Sequence, residues 1–165
     1  LYFDGGDVGL KSKTQEKIDA LHILPGAISP INGGNCLAYL LISTQGPGRV
    51  NNPGESTLKF GGEDVLGFCM TSSGDNTAGL WHLALDGSAE GMPPNSLVNL
   101  SASDDGQVLY LTTRKIFNVD AAVGGHSMVY RFDRGAGLFS GPFFSAPAAG
   151  LAPALDGLQV MGDLP

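Results

Sequence analysis

Apolar residues in this 165-residue chain come in short runs, many alternating with polar ones, each closed by Gly, Pro, Asn or Asp. Runs of that length and composition predict β-strands. They fall at 1–3, 17–24, 36–44, 63–71, 79–85, 96–103, 107–114, 127–133 and 138–145. In 107–114 the alternation sorts Leu109, Leu111 and Thr113 onto one face and Val108, Tyr110 and Thr112 onto the other. Asp104-Asp105-Gly106 is a tight hairpin signal between two such runs. Residues 45–59, with Asn51-Asn52-Pro53-Gly54, read as a long loop. Residues 14–24 also admit a short helix capped by Thr14, because periodicity cannot decide a run this short. Strand is the expectation, since the matching segments 97–100 and 155–158 have Pro and Gly around them.

One segment organises the strands. Leu1-Tyr2-Phe3-Asp4-Gly5-Gly6-Asp7-Val8-Gly9-Leu10 returns as Leu83-Ala84-Leu85-Asp86-Gly87-Ser88-Ala89-Glu90-Gly91-Met92. A worn third copy is Phe143-Phe144-Ser145-Ala146-Pro147-Ala148-Ala149-Gly150-Leu151. Each copy is an elbow: an apolar strand end, a small or acidic turn, then Gly and an apolar residue. Each is followed by a similar strand start, Ile18-Asp19-Ala20-Leu21, Leu97-Val98-Asn99-Leu100 and Leu155-Asp156-Gly157-Leu158. Self-similarity at a long period signals repeat architecture. Uneven spacing fits loop insertions, which add little closure entropy. Four strands between successive elbows is the organisation of a β-propeller blade. The expected fold is therefore all-β, a partial propeller of about two full four-stranded antiparallel blades plus flanking strands. Residues 1–10 would end one blade, 17–92 and 96–151 would be whole blades, and 152–165 would start the next. Two blades cannot close a ring, which needs at least about four, so 1–165 reads as a single segment of a longer chain.

Composition supports this. Hydrophobic residues make up 42% and charged residues 15%, with 25 Gly and 10 Pro, which excludes a coiled coil, a helical bundle and charge-driven disorder. The net charge of −7 argues against a nucleic-acid partner, which needs a basic surface. No run approaches the roughly 18 apolar residues of a membrane helix, so no membrane insertion is expected. No signal peptide opens the chain. Cys36 and Cys69 lie in separate apolar runs. They would be either a disulfide, if those runs pair, or two buried thiols. The extracellular look of the composition favours the disulfide.

The first elbow resembles the "LYFDGSDVGL" motif of a repeat found in large secreted and surface proteins of bacteria and some algae. Asp75-Asn76-Thr77-Ala78-Gly79-Leu80-Trp81 before Asp86-Gly87-Ser88 is similar to the turn and Trp that precede that motif. Lys17-Ile18-Asp19-Ala20-Leu21, Leu40-Leu41-Ile42-Ser43-Thr44-Gln45-Gly46 and Gly62-Glu63-Asp64-Val65 resemble its later strands. The likeness covers 1–92 and decays in 93–165. It implies propeller-like folding, extracellular or cell-surface placement and a role as a module of long adhesive or scaffolding proteins. It carries over no enzymatic activity.

Few residues suggest chemistry. Asp4 and Asp7 flank Gly5-Gly6, and Asp86 with Glu90 repeats the spacing loosely. Oxygen ligands on a flexed turn suit calcium, the one cofactor considered, although a full site takes 6–8 oxygens. Turn chemistry, which prefers Asp and Gly, explains the same residues. His22, His82 and His126 share no metal-type spacing. Glu63-Asp64 are neighbours in an expected strand and point to opposite faces, while Asp104-Asp105 sit on a hairpin tip. Asn99-Leu100-Ser101 is a formal N-glycosylation acceptor. Trp81, Tyr2, Tyr110, Phe117, Tyr130, Phe132, Phe143 and Phe144 read as blade-to-blade core. The expected function is a non-enzymatic extracellular structural or adhesive module of a surface or filament-forming protein, acting through self-assembly, for which open strand edges offer β-pairing, or through binding of other chains, copies of itself or carbohydrate. The alternatives are a propeller-type glycan-active hydrolase or lyase and a calcium-stabilised adhesin.

Overall fold

The computed structural model describes residues 2–10, 16–25, 35–54, 56–120, 122–151, 155 and 157–160. Leu1, Thr14, Gly33, Gly34 and Asp156 lie outside them, as does most of the expected start of a further blade at 152–165. The described residues are all-β. The strands are β1 (Ile18–Pro25), β2 (Ala38–Thr44), β3 (Gly48–Asn51), β4 (Thr57–Phe60), β5 (Val65–Ser72), β6 (Ala78–Leu85), β7 (Leu97–Ala102), β8 (Val108–Thr113), β9 (Phe117–Val119), β10 (Ala122–Gly124), β11 (Met128–Asp133) and β12 (Leu138–Ser145). A 3₁₀ turn, Gly74–Asn76, connects β5 to β6.

They form two four-stranded sheets, β1-β2-β5-β6 and β7-β8-β11-β12, and two hairpins, β3-β4 and β9-β10. Every strand pair is antiparallel. Each sheet is a meander whose second and third strands are separated in sequence by one hairpin. No barrel or ring closes among the described residues.

Strand register gives the two sheets a matching plan. In β1 a bulge lies between Ile18, opposite Thr44, and Ala20, opposite Ser43. In β7 the bulge lies between Leu97, opposite Thr113, and Asn99, opposite Thr112. Ile18 thus corresponds to Leu97, Leu21 to Leu100 and Ile23 to Ala102. The next ladders agree, with Ile42 opposite Leu66 in the first sheet and Leu111 opposite Tyr130 in the second. At the far strand, Val65 and Leu66 oppose Leu85 and Leu83, and Val129 opposes Phe144. Val65 therefore matches Val129, and Leu85 matches Phe144.

Period-two alternation gives each sheet two apolar faces. The forward face of the first sheet, with Tyr39, Leu41, Val65 and Cys69, packs on the rear face of the second, with Leu100, Leu109, Leu111, Tyr130 and Phe132. The rear face of the first sheet, with Leu40, Ile42, Leu66, Phe68, Met70 and Trp81, is a separate cluster. Leu10, Phe3 and Val8 of the first elbow and Val50 and Phe60 of the first hairpin pack on it.

Several expectations are corrected. Tyr2 and Phe3 belong to no strand, and neither do the described residues of 155–158. The long loop at 45–59 contains β3 and most of β4, and β9-β10 was legible nowhere in the pattern. Strands of three or four residues are too short for alternation to register. Trp81 belongs to the rear cluster and not to the sheet-to-sheet core, while Tyr2 and Phe143 are exposed. The helix alternative at 14–24 gives way to strand over Ile18–Pro25.

Candidate functional site

The three elbows share one backbone design. Leu10 N donates to Gly5 O at 2.8 Å and Gly9 N to Gly6 O at 3.3 Å. Met92 N donates to Gly87 O at 2.8 Å and Gly91 N to Ser88 O at 3.2 Å. Leu151 N donates to Ala146 O at 2.9 Å and Gly150 N to Pro147 O at 3.1 Å. Nested six-to-one and five-to-two bonds closed by a left-handed residue define a Schellman turn. Gly9, Gly91 and Gly150 supply that residue, with φ of 92°, 80° and 71°.

The elbow acids hold this turn. Asp4 Oδ1 accepts from Gly6 N at 2.8 Å, and Asp86 Oδ1 from Ala89 N at 2.9 Å and Ser88 Oγ at 2.8 Å. In the worn copy Ser145 Oγ accepts from Ala148 N at 3.4 Å, so a hydroxyl replaces the carboxylate. Asp7 Oδ2 accepts from Thr77 N at 3.0 Å, docking the elbow on the β5–β6 turn. Asp4 N donates to Thr77 Oγ1 and Trp81 Nε1 to Val8 O, both at 2.9 Å. The four calcium candidates, Asp4, Asp7, Asp86 and Glu90, stand on two different elbows. Among the described residues no three His, Cys, Asp or Glu side chains converge as a metal site.

Glu63 and Asp64 are turn residues just before β5, a correction to their strand assignment. Asp64 bridges Gly61 N at 2.6 Å and Gly87 N at 2.8 Å, and Glu63 Oε2 accepts from Asn95 N at 2.8 Å. The pair ties the second elbow to the chain entering β5. Burial pushes the Asp64 carboxyl up, and the two peptide N–H groups oppose it.

The outer edge of each sheet is covered by its own hairpin. Asn52, just after β3, accepts from Trp81 N at 2.6 Å and donates to Trp81 O at 2.8 Å. Asp120, just after β9, accepts from Phe139 N at 3.1 Å. Asp120 has φ 51°, a conformation Asn and Asp tolerate. Side chains thus occupy peptide groups that another strand could otherwise pair with.

A polar cluster lies between the sheets. Tyr39 stacks on His82 with ring centroids 5.4 Å apart and planes 20° apart, and its hydroxyl is hydrogen-bonded to His82 Nε2. Arg134 donates to Ala84 O at 3.2 Å and Gly106 O at 2.9 Å, bridging the sheets, and also to the Tyr39 hydroxyl. Arginine only donates. Tyr39 Oη therefore accepts from Arg134 and shares a further hydrogen bond with His82 Nε2, its direction set by the imidazole tautomer. Burial, reinforced by Arg134, lowers His82 to about 4, and burial raises Tyr39 to about 12. Gly67 leaves the room for this stack, since a Cβ there would overlap both rings' polar atoms. Spacing could not reveal the cluster, because its members come from three separated strands and turns.

Cys36 and Cys69 form a disulfide. Asn99 is buried, and its Nδ2 donates to Thr112 Oγ1 at 2.8 Å and Leu155 O at 2.7 Å. A glycan on Nδ2 would replace one of the two N–H groups that make these bonds. Burial lowers His22, opposed by Asp104.

What the geometry defines is an all-β chain of two equivalent four-stranded antiparallel units joined by Schellman elbows. Comparisons with protein-family models, with curated proteins and with solved structures return no match. No helix among the described residues is long and apolar enough to cross a membrane.

Proposed function

We propose that this chain is a non-enzymatic, propeller-like module of an extracellular or cell-surface protein, working as a rigid scaffold for association with other chains, copies of itself or carbohydrate. The observation that carries this reading is where its polar and apolar residues lie. Asp4, Asp7, Asp64, Asp86, Asn52 and Asp120 all hold backbone joints. Large apolar side chains stand exposed on the two outward faces, at Leu21 and Ile23 on β1 and at Phe143 and Leu151 by the third elbow. Asn52 and Asp120 cap peptide groups on the β6 and β12 edges, which favours association through sheet faces over strand addition at those two edges. The disulfide fits an oxidising compartment, and the resemblance of the first elbow to the secreted repeat supports the same placement.

The test is to present the purified chain, immobilised, to a panel of extracellular polysaccharides and to itself. Retention without release of new sugar ends is the expected result. Cleavage of any polymer in proportion to the protein added would show an enzyme and sink the reading.

A further inference from the structure

A cleft of ≈ 500 Å³ opens between the first elbow, the end of β3 and the start of β6. Its size lies within the range of small-molecule sites. Hydrogen bonds fix its walls: Asp7 to Thr77 N, Trp81 Nε1 to Val8 O, and Asn52 to both peptide groups of Trp81. Polar groups on those walls are left over. Asp7 uses Oδ2 on Thr77 N, which leaves Oδ1 as an acceptor. Asn51 is exposed, and its amide bonds no other described residue. Gly79 lies two residues before Trp81 on the edge strand, so its peptide N–H and C=O point to the same side as those that Asn52 caps.

The fold does not demand these polar groups. The second unit builds the same junction, with Gly91 in place of Gly9 and Asp120 on Phe139 N in place of Asn52 on Trp81 N. There Ala89 stands where Asp7 stands in the first elbow, and Val119 where Asn51 stands in the first hairpin. The carboxylate and the amide therefore belong to the first unit alone. Nor does the opening depend on what precedes the first elbow. The second elbow has a whole unit before it, and Ala89 and Gly91 are still exposed.

We infer that this cleft binds a neutral sugar unit, whose hydroxyl groups are held by Asp7 and Asn51. The inference rests on the reading of the chain as a module that associates with carbohydrate, and names where the sugar sits. No Lys, Arg or His lines the cleft, so a uronate, sulfate or phosphate would meet only the Asp7 carboxylate and be repelled. A sugar hydroxyl donates to Asp7 Oδ1 in a charge-assisted bond, and exchanges bonds with the Asn51 amide and the Gly79 peptide. Val8, Pro53 and Leu80 give the C–H face of the ring an apolar wall. A peptide strand has less to pair with. Asn52 occupies the Trp81 groups, and Thr71 Oγ1 donates to Ala78 O at 3.1 Å, which leaves Gly79 without a free neighbour along the edge.

Amide NMR of the whole chain, titrated separately with maltose, cellobiose, lactose and mannobiose, tests this. Digalacturonate serves as the anionic counterpart and a blocked oligo-threonine as the peptide probe. At least one neutral disaccharide should give saturable shifts in 7–9, 51–52 and 77–81, and the other two probes should give none there. Asn51→Ala, at an exposed side chain that holds nothing in the fold, should weaken that disaccharide about tenfold, the worth of one hydrogen bond. Asp7→Asn keeps an acceptor for Thr77 N and should weaken it by about as much. The proposal is overturned if no disaccharide shifts those residues, if digalacturonate or the peptide binds there more tightly, or if both variants bind like wild type. Polysaccharide retained equally well by Asn51→Ala would also overturn this site while the module reading stands. Release of new sugar ends sinks the module reading, whichever residues shift.

Discussion

The side-chain amide of Asn52 bonds both polar groups of one peptide unit on β6, with Oδ1 2.6 Å from Trp81 N and Nδ2 2.8 Å from Trp81 O. It does for the edge strand what a neighbouring strand would do. Asn52→Leu leaves both groups unpaired and should cost about 1–3 kcal/mol. Asn52→Asp keeps the bond from Trp81 N and loses the donor to Trp81 O, so its cost should fall between wild type and Asn52→Leu. Urea unfolding measures the loss. Light scattering on warming should also show earlier aggregation of Asn52→Leu, because the freed edge can pair with another chain. An unchanged midpoint would show that the cap is dispensable.

Gly91 closes the second elbow with φ 80°. An alanine there must adopt the left-handed conformation, a penalty of about 1–2 kcal/mol. Gly157, with open space around it, supplies the control, and Gly157→Ala should be near neutral. Equal effects of the two substitutions in chemical denaturation would contradict the Schellman assignment.

His82 titrates at about 4 in the fold against its ordinary 6.5. Between those values the unfolded chain binds the extra proton, so this contribution to stability is full above 6.5 and is lost as pH falls toward 4. The loss should amount to about 3 kcal/mol. Other acids protonate over the same range, so the comparison is with His82→Gln, which keeps an acceptor for the Tyr39 hydroxyl and cannot titrate. The variant should lose less stability than wild type between neutral pH and pH 4. Parallel stability curves would show that His82 is not held neutral by the fold.

The disulfide closes a sequence separation of 33 residues. Loop-closure entropy for that length predicts that Cys36→Ser with Cys69→Ser costs about 3–4 kcal/mol. The measurement is the guanidinium midpoint of the double variant against wild type, with and without a reducing agent. Reductant should bring wild type close to the variant and leave the variant unchanged.

Much of the architecture was legible along the chain because its signals are local. Alternating apolar runs and the turns between them marked the eight strands of the two meanders, since a strand declares itself over four to eight residues. The elbows were legible for the same reason. Gly9, Gly91 and Gly150 sit at matching places in three similar segments, and only glycine takes the left-handed position freely. The hairpins were hidden. Asn51-Asn52-Pro53-Gly54 has the composition of a loop, and Phe117–Val119 is too short to show a period.

The order of residues along the chain thus set the strands, the turns and the repeat, because each depends on neighbours in sequence. Tertiary structure decided what faces what. It turned the elbow aspartates and Asp64 into backbone caps and buried Asn99 against Leu155. It brought Tyr39, His82 and Arg134 together between the sheets, and laid Asn52 along Trp81. It also buried Leu97, Leu100 and Ala102 while leaving the matching Ile18, Leu21 and Ile23 exposed. No local rule separates those two triplets. The difference is whether another sheet lies over them, and only the packing of one unit on the next determines that.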